Sequence, residues 1–335
     1  MTAAFPAARP TGAAHWHGWT RTLMDVILHL GAHRTATTTF QHYLRENAED
    51  LAARGVAVWG PQKARTQIFP GLFRRSTAAQ KGRNLARRAE GRIRMFVRRA
   101  QADGAVQLLV SDENLLGTPI ACLRAARIYP ASGERTARVS AAFGGQVRRI
   151  VLSIRAQDLW WASLAALTVS RGHPVPDAAR IAAIAADRRS WRDVITDLAC
   201  AAPGAEIEVI PFETWSGRPD RLLRAALARE VPPDCSLSWL NRSADLQMLR
   251  RRLAEQGANP DQLPDATGRW QPFSREEAAM LRENYADDLH WLMAGADGLA
   301  RLTEDARLAR AATMPPPGAE EKGQGNDKGR MAQSR

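Results

Sequence analysis

The stretch HLGAHRTATTTF contains the residue types of a phosphate-binding loop and directly follows a short apolar run. The common nucleotide loop, G-x-x-x-x-G-K-[ST], holds phosphates with backbone N–H groups and a lysine. Aligned on Gly31, this chain has Ala36 at the second glycine, Thr37 at the lysine and Thr38 at the hydroxyl position. The nearest cation is Arg34, three positions before the lysine position. The spacing therefore predicts a phosphate loop that does not hold the end of a triphosphate.

The threonines of this stretch predict that a helix begins within it. Threonine is poor inside a helix but favourable at its start, and the free N–H groups and positive dipole end of a helix attract phosphate. The hydroxyls of Thr35, Thr37, Thr38 and Thr39 add further donors. An ordinary strand–turn–helix connection with a capped helix remains the alternative for the loop taken alone.

Short apolar runs bounded by Gly, Pro or charged residues predict the strands that carry this loop: Asp25–Leu30, Val56–Trp59, Gln107–Ser111, Arg149–Ile154 and Ile207–Phe212. Helical patterns lie between and after them: Thr39–Arg54, Asp158–Arg171, Pro219–Glu230, Ala244–Gln256 and Ser274–Ala294. Ser274 and Glu277 form a capping box at the start of the last helix. Strand–helix alternation of this kind predicts an α/β fold. We expect a P-loop-like, mostly parallel central sheet of about five strands, flanked by helices on both faces.

The composition predicts the domain organisation and the cellular compartment. The 335 residues contain no apolar run long enough for a transmembrane helix, so we expect no membrane span. Residues 1–23 lack the apolar core of a secretion signal and are predicted to be a disordered leader, or an over-extended start that makes Met24 the true one. Residues 24–312 form the predicted domain, and 313–335 a disordered tail. The three cysteines show no pairing or metal spacing, which suits a reducing cytoplasm.

The net charge of +12 indicates an anionic partner. GC-rich coding is the competing explanation, because arginine greatly outnumbers lysine and alanine is abundant. The charge is uneven: residues 63–99 hold twelve Lys or Arg against Glu90 alone. Apolar residues recur there at helical spacing and predict an amphipathic helix with an arginine-covered face. That face is either a solvated surface or an anion-binding rim, and it lacks the interleaved aromatic residues of single-strand nucleic-acid binding.

HLGAHRTATT resembles the 5′-phosphosulfate loop of bacterial sulfotransferases, H-x-G-x-H-K-T-[GA]-T-T, with Arg34 at the family's lysine. RRIVLSIRAQDLWWASL resembles the family's 3′-phosphate element, a strand followed by an arginine and, eight positions later, a serine at a helix start. These residues are Arg155 and Ser163 here, and an arginine leaving a strand end can grip a phosphate bidentately. LLVSDENLLG and VIPFETW resemble further family segments, the second of them structural. LNRS, with Arg242, stands where the family often returns a basic segment to the nucleotide.

The resemblance implies a donor, 3′-phosphoadenosine-5′-phosphosulfate, whose sulfuryl group passes to an alcohol or amine. It implies donor binding by Arg34, Thr35, Ala36, Thr37, Thr38, Arg155, Ser163 and Arg242. Arg34 would meet the charge that grows on the bridging oxygen, and Glu113 would take the proton of the acceptor, with His33 as the second candidate base. No metal is required, and the histidines and cysteines show no ligand cluster.

Functions of other classes remain open. One is a P-loop-like small-molecule kinase or NTPase, against which the missing Gly-Lys argues. Another is a non-catalytic anion-binding or partner-binding protein that uses the arginine helix. The acceptor is not named by the sequence: the arginine-rich rim favours an anionic saccharide, while neutral lipids and small molecules stay possible. Nucleic acid is not an expected partner.

Overall fold

The computed structural model describes residues 24–73, 79–215, 217–229 and 243–303. Six strands within these ranges form one sheet: β1 (Asp25–His29), β2 (Val56–Trp59), β3 (Gln107–Ser111), β4 (Val147–Ile154), β5 (Glu206–Pro211) and β6 (Arg301–Leu302). Their order is β2-β3-β1-β4-β5-β6, and every neighbouring pair is parallel. The predicted parallel α/β sheet is confirmed. It has six strands rather than about five, because the two-residue β6 is too short to leave a sequence pattern.

Thirteen helices within the described residues connect or flank the strands. They are α1 (Thr37–Glu46), α2 (Ala48–Ala53), α3 (Pro61–Lys63), α4 (Ala79–Ala102), α5 (Pro119–Ala125), α6 (Ser132–Ala142), α7 (Gln157–Ser170), α8 (Ala178–Ala186), α9 (Trp191–Ala201), α10 (Phe212–Trp215), α11 (Pro219–Leu227), α12 (Leu246–Glu255) and α13 (Arg275–Met293). The capping box at Ser274 is present. The pattern over Thr39–Arg54 is two helices, α1 and α2, separated at Asn47. The predicted leader, 1–23, and tail, 313–335, lie outside the described residues.

The two faces of the sheet bury separate apolar clusters, because side chains alternate along each strand. Ile27 of β1 packs with α1, α2 and α11 on one face. Val26 and Leu28 pack on the other face, with α4, α6, α7, α9 and α13. Helices therefore cover both faces, as predicted.

The order of the strands places a crevice beside β1. The chain runs from β1 outward to β2, returns through β3, and then crosses to β4 on the other side of β1. In open parallel sheets, ligands bind at such a switch point, outside the carboxyl ends of the strands. The segments that follow β1, β3 and β4 meet there, and they contain Arg34, Glu113 and Arg155 respectively.

Candidate functional site

The loop between β1 and α1 has a conformation that explains its residues. A Cβ atom on Gly31 would lie 2.7 Å from Nε2 of His29 and 2.8 Å from Cγ2 of Thr37, so only glycine fits. Arg34 and Ala36 have left-handed φ angles of 68° and 63°. This conformation costs a non-glycine residue about 1–2 kcal/mol, and such strain is concentrated at functional sites. No side-chain hydrogen bond caps the N-terminus of α1. The connection therefore differs from the ordinary strand–turn–capped-helix alternative.

Buried aromatic side chains hold the loop in place. The indole Nε1 of Trp160 donates to the carbonyl oxygen of His33 at 2.7 Å, and the backbone N–H of His33 donates to the Tyr129 hydroxyl at 2.8 Å. The indole of Trp191 donates in the same way to the carbonyl of Arg155, at 2.7 Å. All three aromatic residues are fully buried. The sequence analysis did not identify them, although a buried Trp or Tyr usually places its polar tip on a partner.

The Arg34 side chain joins the two predicted phosphate motifs. Its Nε donates to Ser163 Oγ at 2.9 Å, and its Nη2 donates to Ser243 Oγ at 2.9 Å. The two serine hydroxyls are themselves 2.6 Å apart. Arg34 and Ser163, which are 129 residues apart in sequence, are therefore direct partners. Ser243 was not among the predicted site residues, and Arg242 before it lies outside the described residues.

Arg155 lies on the other side of the loop. Its Nη1 donates to the carbonyl oxygen of Arg34 at 3.0 Å, and its guanidinium stacks on the Phe212 ring at 4.7 Å. The residue is almost fully buried, and its Nε has no hydrogen-bond partner among the described residues. Burial lowers the pKa of Arg155 and outweighs the opposing effect of the Glu213 carboxylate. A buried donor without a partner is costly in a folded protein, so it marks a place for an acceptor group.

Three other guanidinium groups act on the charge of Arg34 in the loop. Burial and the charges of Arg155, Arg171 and Arg269 together lower the pKa of Arg34 to about 10. The charges that act on Arg34 most strongly are therefore those of other arginines. We call Arg34, Arg155, Arg171 and Arg269 the site arginines. Their mutual repulsion is relieved by an anion, which is the electrostatic requirement of a phosphate site. Arg171 and Arg269 were not identified from the sequence, because each is a single arginine in an arginine-rich chain.

The predicted loop residues divide between two sides of the α1 N-terminus. Thr37 and Thr38 line a cleft of about 280 Å³ together with Arg34, Arg171 and Glu113. On the opposite side a cavity of about 30 Å³ is lined by residues that include Thr35, Ala36, Ser153 and Phe212. The Thr35 hydroxyl is used within the loop, where it donates to the carbonyl of Ala32 at 2.6 Å. Thr37 and Thr38 are thus the threonines that face the larger cleft.

Glu113 lies in the same cleft, held from two sides. Gln41 of α1 donates to its Oε2 at 2.9 Å, and Arg65 donates to its Oε1 at 3.0 Å. Arg65 also binds the neighbouring Asp112 with two nitrogens. Burial raises the pKa of Glu113, but His33, Arg65 and the Gln41 amide stabilise the carboxylate and lower the pKa overall. Glu113 is therefore ionised at neutral pH and can accept a proton.

His33 is buried, and both of its ring nitrogens are engaged. Its Nδ1 lies 2.8 Å from the Tyr129 hydroxyl and its Nε2 lies 3.0 Å from Oδ1 of Asn114. Because burial raises the pKa of Tyr129, the hydroxyl stays protonated and donates to Nδ1. The Nε2 proton then points to Asn114. Burial lowers the pKa of His33 to about 4. This arrangement favours a role in holding the loop over the role of base.

Two properties concern the whole described part of the chain. No group of three or more His, Cys, Asp or Glu within it could hold a metal ion. None of its helices is both long enough and apolar enough to cross a bilayer.

Comparison with known proteins gives a limited result. No protein-family model and no curated protein sequence matches the chain. Among solved structures, it is similar to the crystal structure of a sulfotransferase from Alicyclobacillus acidocaldarius, with 16% sequence identity and a TM-score of 0.39. The similarity covers 86% of this chain and 98% of that one. An identity and a TM-score this low do not place the chain in a family.

Proposed function

We propose that the protein transfers a sulfuryl group from 3′-phosphoadenosine-5′-phosphosulfate to a hydroxyl or amine of an acceptor. The observation that carries the proposal is the convergence of two phosphate motifs on one loop. Arg34 is bonded to Ser163, and Arg155 is bonded to the Arg34 backbone. A carboxylate, Glu113, faces the same cleft. A loop without the P-loop lysine, beside a cluster of arginines, suits a donor with separate 5′ and 3′ phosphate groups better than a triphosphate.

The residues present fit such a donor. The uncapped N-terminus of α1, with Thr37 and Thr38, would hold the 5′-phosphosulfate, since helix N-termini bind such anions. Arg155 and Ser163 would hold the 3′-phosphate, and the buried Nε of Arg155 would gain the acceptor that it lacks. The charge of Arg269 reaches both Arg34 and Arg155 and would add to the same site.

The chain's own groups account for the chemistry of transfer. The donor, when bound, supplies an activated sulfuryl group. Glu113 takes the proton of the acceptor, a contribution of about 10²- to 10⁴-fold in rate. Arg34 stabilises the charge that develops on the leaving oxygen, which is worth roughly 3–4 kcal/mol for one well-aimed donor. Gln41 and Arg65 fix the orientation of Glu113 from opposite sides.

A thermal-shift titration with 3′-phosphoadenosine-5′-phosphate tests the donor site, set beside ATP and 5′-AMP, each with and without magnesium. A ligand at a hundred times its Kd stabilises the fold by about 2.7 kcal/mol, a readily measured shift. We expect a magnesium-independent shift with the bisphosphate, lost in Arg155→Gln. Arg275→Gln, a substitution of an exposed arginine on α13, is the matched control and should keep the shift. A shift that requires ATP and magnesium would instead indicate a kinase, and no shift with any nucleotide would indicate a non-catalytic anion-binding protein.

A further inference from the structure

The helix α4 carries a concentration of exposed arginines. Elsewhere, some exposed arginines form ion pairs with nearby carboxylates, such as Arg54 with Asp50 and Arg127 with Asp187, and others, such as Arg45, form none with the described residues. On α4, Arg87, Arg94 and Arg98 form no ion pair with a carboxylate of the described residues. GC-rich coding would add arginines throughout the chain, but it does not explain why seven of the 24 residues of α4 are arginines while Glu90 is its one acidic residue.

Four of the α4 arginines share one line along the helix surface. At 100° per residue, Arg83, Arg87, Arg94 and Arg98 lie within about 60° of one another, over a length of about 22 Å. All four are exposed, while Ala89, Ile93 and Val97 bury an adjoining side of the helix in the core. We call these four residues the arginine stripe. Gly91 interrupts it, and a Cβ built there meets no atom within 4 Å, so the surface above the helix is open.

A groove of about 280 Å³ accompanies the stripe at the C-terminal half of α4. Arg94, Arg98 and Gln101 form one wall, and the turn from Phe143 to Gln146 forms the other. Glu90 also lines it, as the one carboxylate among its described lining residues. Guanidinium and amide groups side by side suit a ligand that carries both negative charges and hydroxyls.

The stripe leads towards the candidate site. The helix α4 connects β2 to the parallel strand β3, so it runs antiparallel to both strands. Its N-terminal end, with Arg83, therefore lies towards the carboxyl edge of the sheet, the edge at which Glu113 follows β3. A chain-like ligand bound along the stripe would extend from the groove towards that edge.

We propose that the arginine stripe binds an anionic polysaccharide and that this polysaccharide carries the acceptor hydroxyl, a step that rests on the proposed function. The spacing over about 22 Å requires a ligand with repeated charges. Single-stranded nucleic acid is disfavoured, because the exposed large apolar side chains of the described residues are Met, Val and Leu, with no exposed aromatic ring on which bases would stack. A concave groove beside the stripe suits a flexible chain with hydroxyl groups rather than a rigid duplex.

Fluorescence anisotropy with labelled dextran sulfate and polygalacturonate tests the surface, with neutral dextran as control polymer. The test variant is Arg87→Gln/Arg94→Gln/Arg98→Gln. The matched control, Arg45→Gln/Arg251→Gln/Arg275→Gln, removes the same charge from exposed positions on α1, α12 and α13. We expect the test variant to weaken binding about tenfold or more at moderate salt and to reduce its salt dependence, because fewer counterions are released. The control variant should change binding by less than about twofold.

Three results would overturn the proposal. Equal weakening in both triple variants would mean that only net charge matters. Tighter, stripe-dependent binding of a short RNA or DNA duplex would assign the surface to nucleic acid. No binding of either anionic polymer would leave the surface without this partner. The bisphosphate titration separates this proposal from the function: stripe-dependent polymer binding without a bisphosphate shift would keep the surface and reject sulfuryl transfer.

Discussion

The site arginines and the arginine stripe are the two concentrations of positive charge that stand out in the described part of the chain, and they are built in opposite ways. Among the site arginines, Arg155 is buried and Arg34, half-buried, donates hydrogen bonds to two serines from distant segments, while Arg171 and Arg269 are exposed. The stripe residues are exposed and stand in a row on one helix. Convergent, partly desolvated cations define a small site with a fixed geometry, whereas an exposed row attracts a charged chain without fixing it. The positions and partners of the arginines therefore distinguish two roles, which the net charge of +12 alone cannot distinguish.

The largest expected effect is at Glu113, which lines the same cleft as Arg34. Glu113→Gln keeps the hydrogen bond from Gln41 within reach but cannot take a proton. We expect the transfer of labelled sulfate to an anionic polysaccharide to fall by about 10²- to 10⁴-fold, with bisphosphate and polymer binding unchanged. Glu283→Gln, an exposed carboxylate on α13, is the control. A variant that transfers sulfate at the normal rate would exclude Glu113 as the base.

Lowering the pH should reduce the stability of the fold through buried histidines in and beside the loop, and it should not change the charge of the arginine stripe. Burial lowers the pKa of both His29 and His33 from 6.5 to about 4. In the unfolded chain these groups take up protons near pH 6.5, so stability is lost as the pH falls from 6.5 towards 4. We expect a loss of about 2 kcal/mol per histidine between pH 7 and pH 5, measured by urea unfolding. Substitution of His33 by Asn should reduce that loss, while the same change at the exposed His173 should not.

How much of each region can be predicted from sequence differs for a physical reason. The strands, the loop motif and the face of α4 depend on neighbours in sequence, and periodicity or spacing reveals them. The contact of Arg34 with Ser243, and the approach of Arg269, join segments more than 100 residues away, and no local pattern encodes them. His33 is a candidate base when only the sequence is considered. The fold changes this interpretation, because it brings Tyr129 and Asn114 to the two ring nitrogens of His33.

A smaller effect is expected from the buried aromatic side chains that hold the loop between β1 and α1. Trp160→Phe removes the donor to the His33 carbonyl and leaves that buried oxygen unpaired, at a cost of about 1–3 kcal/mol in stability. Because the carbonyl belongs to the loop, bisphosphate affinity should fall as well. Trp59→Phe is the matched control: Trp59 is equally buried, but its ring packs on Phe96 of α4, away from the loop. Equal effects of both substitutions on bisphosphate binding would mean that Trp160 acts through general stability rather than through the loop.

The smallest effect tests whether the loop stores backbone strain that an ordinary helix position lacks. Ala36→Gly removes a left-handed alanine, which costs about 1–2 kcal/mol, but it also adds about 0.4–1 kcal/mol of entropy to the unfolded state. We therefore expect a net stabilisation below about 1 kcal/mol, measured by urea unfolding. The same substitution at the exposed Ala182 within α8 should destabilise by about 1 kcal/mol. Opposite signs at the two alanines would show that folding energy is stored in the loop. Destabilisation at both would mean that the conformation of Ala36 carries no such strain, and the loop would then resemble an ordinary connection.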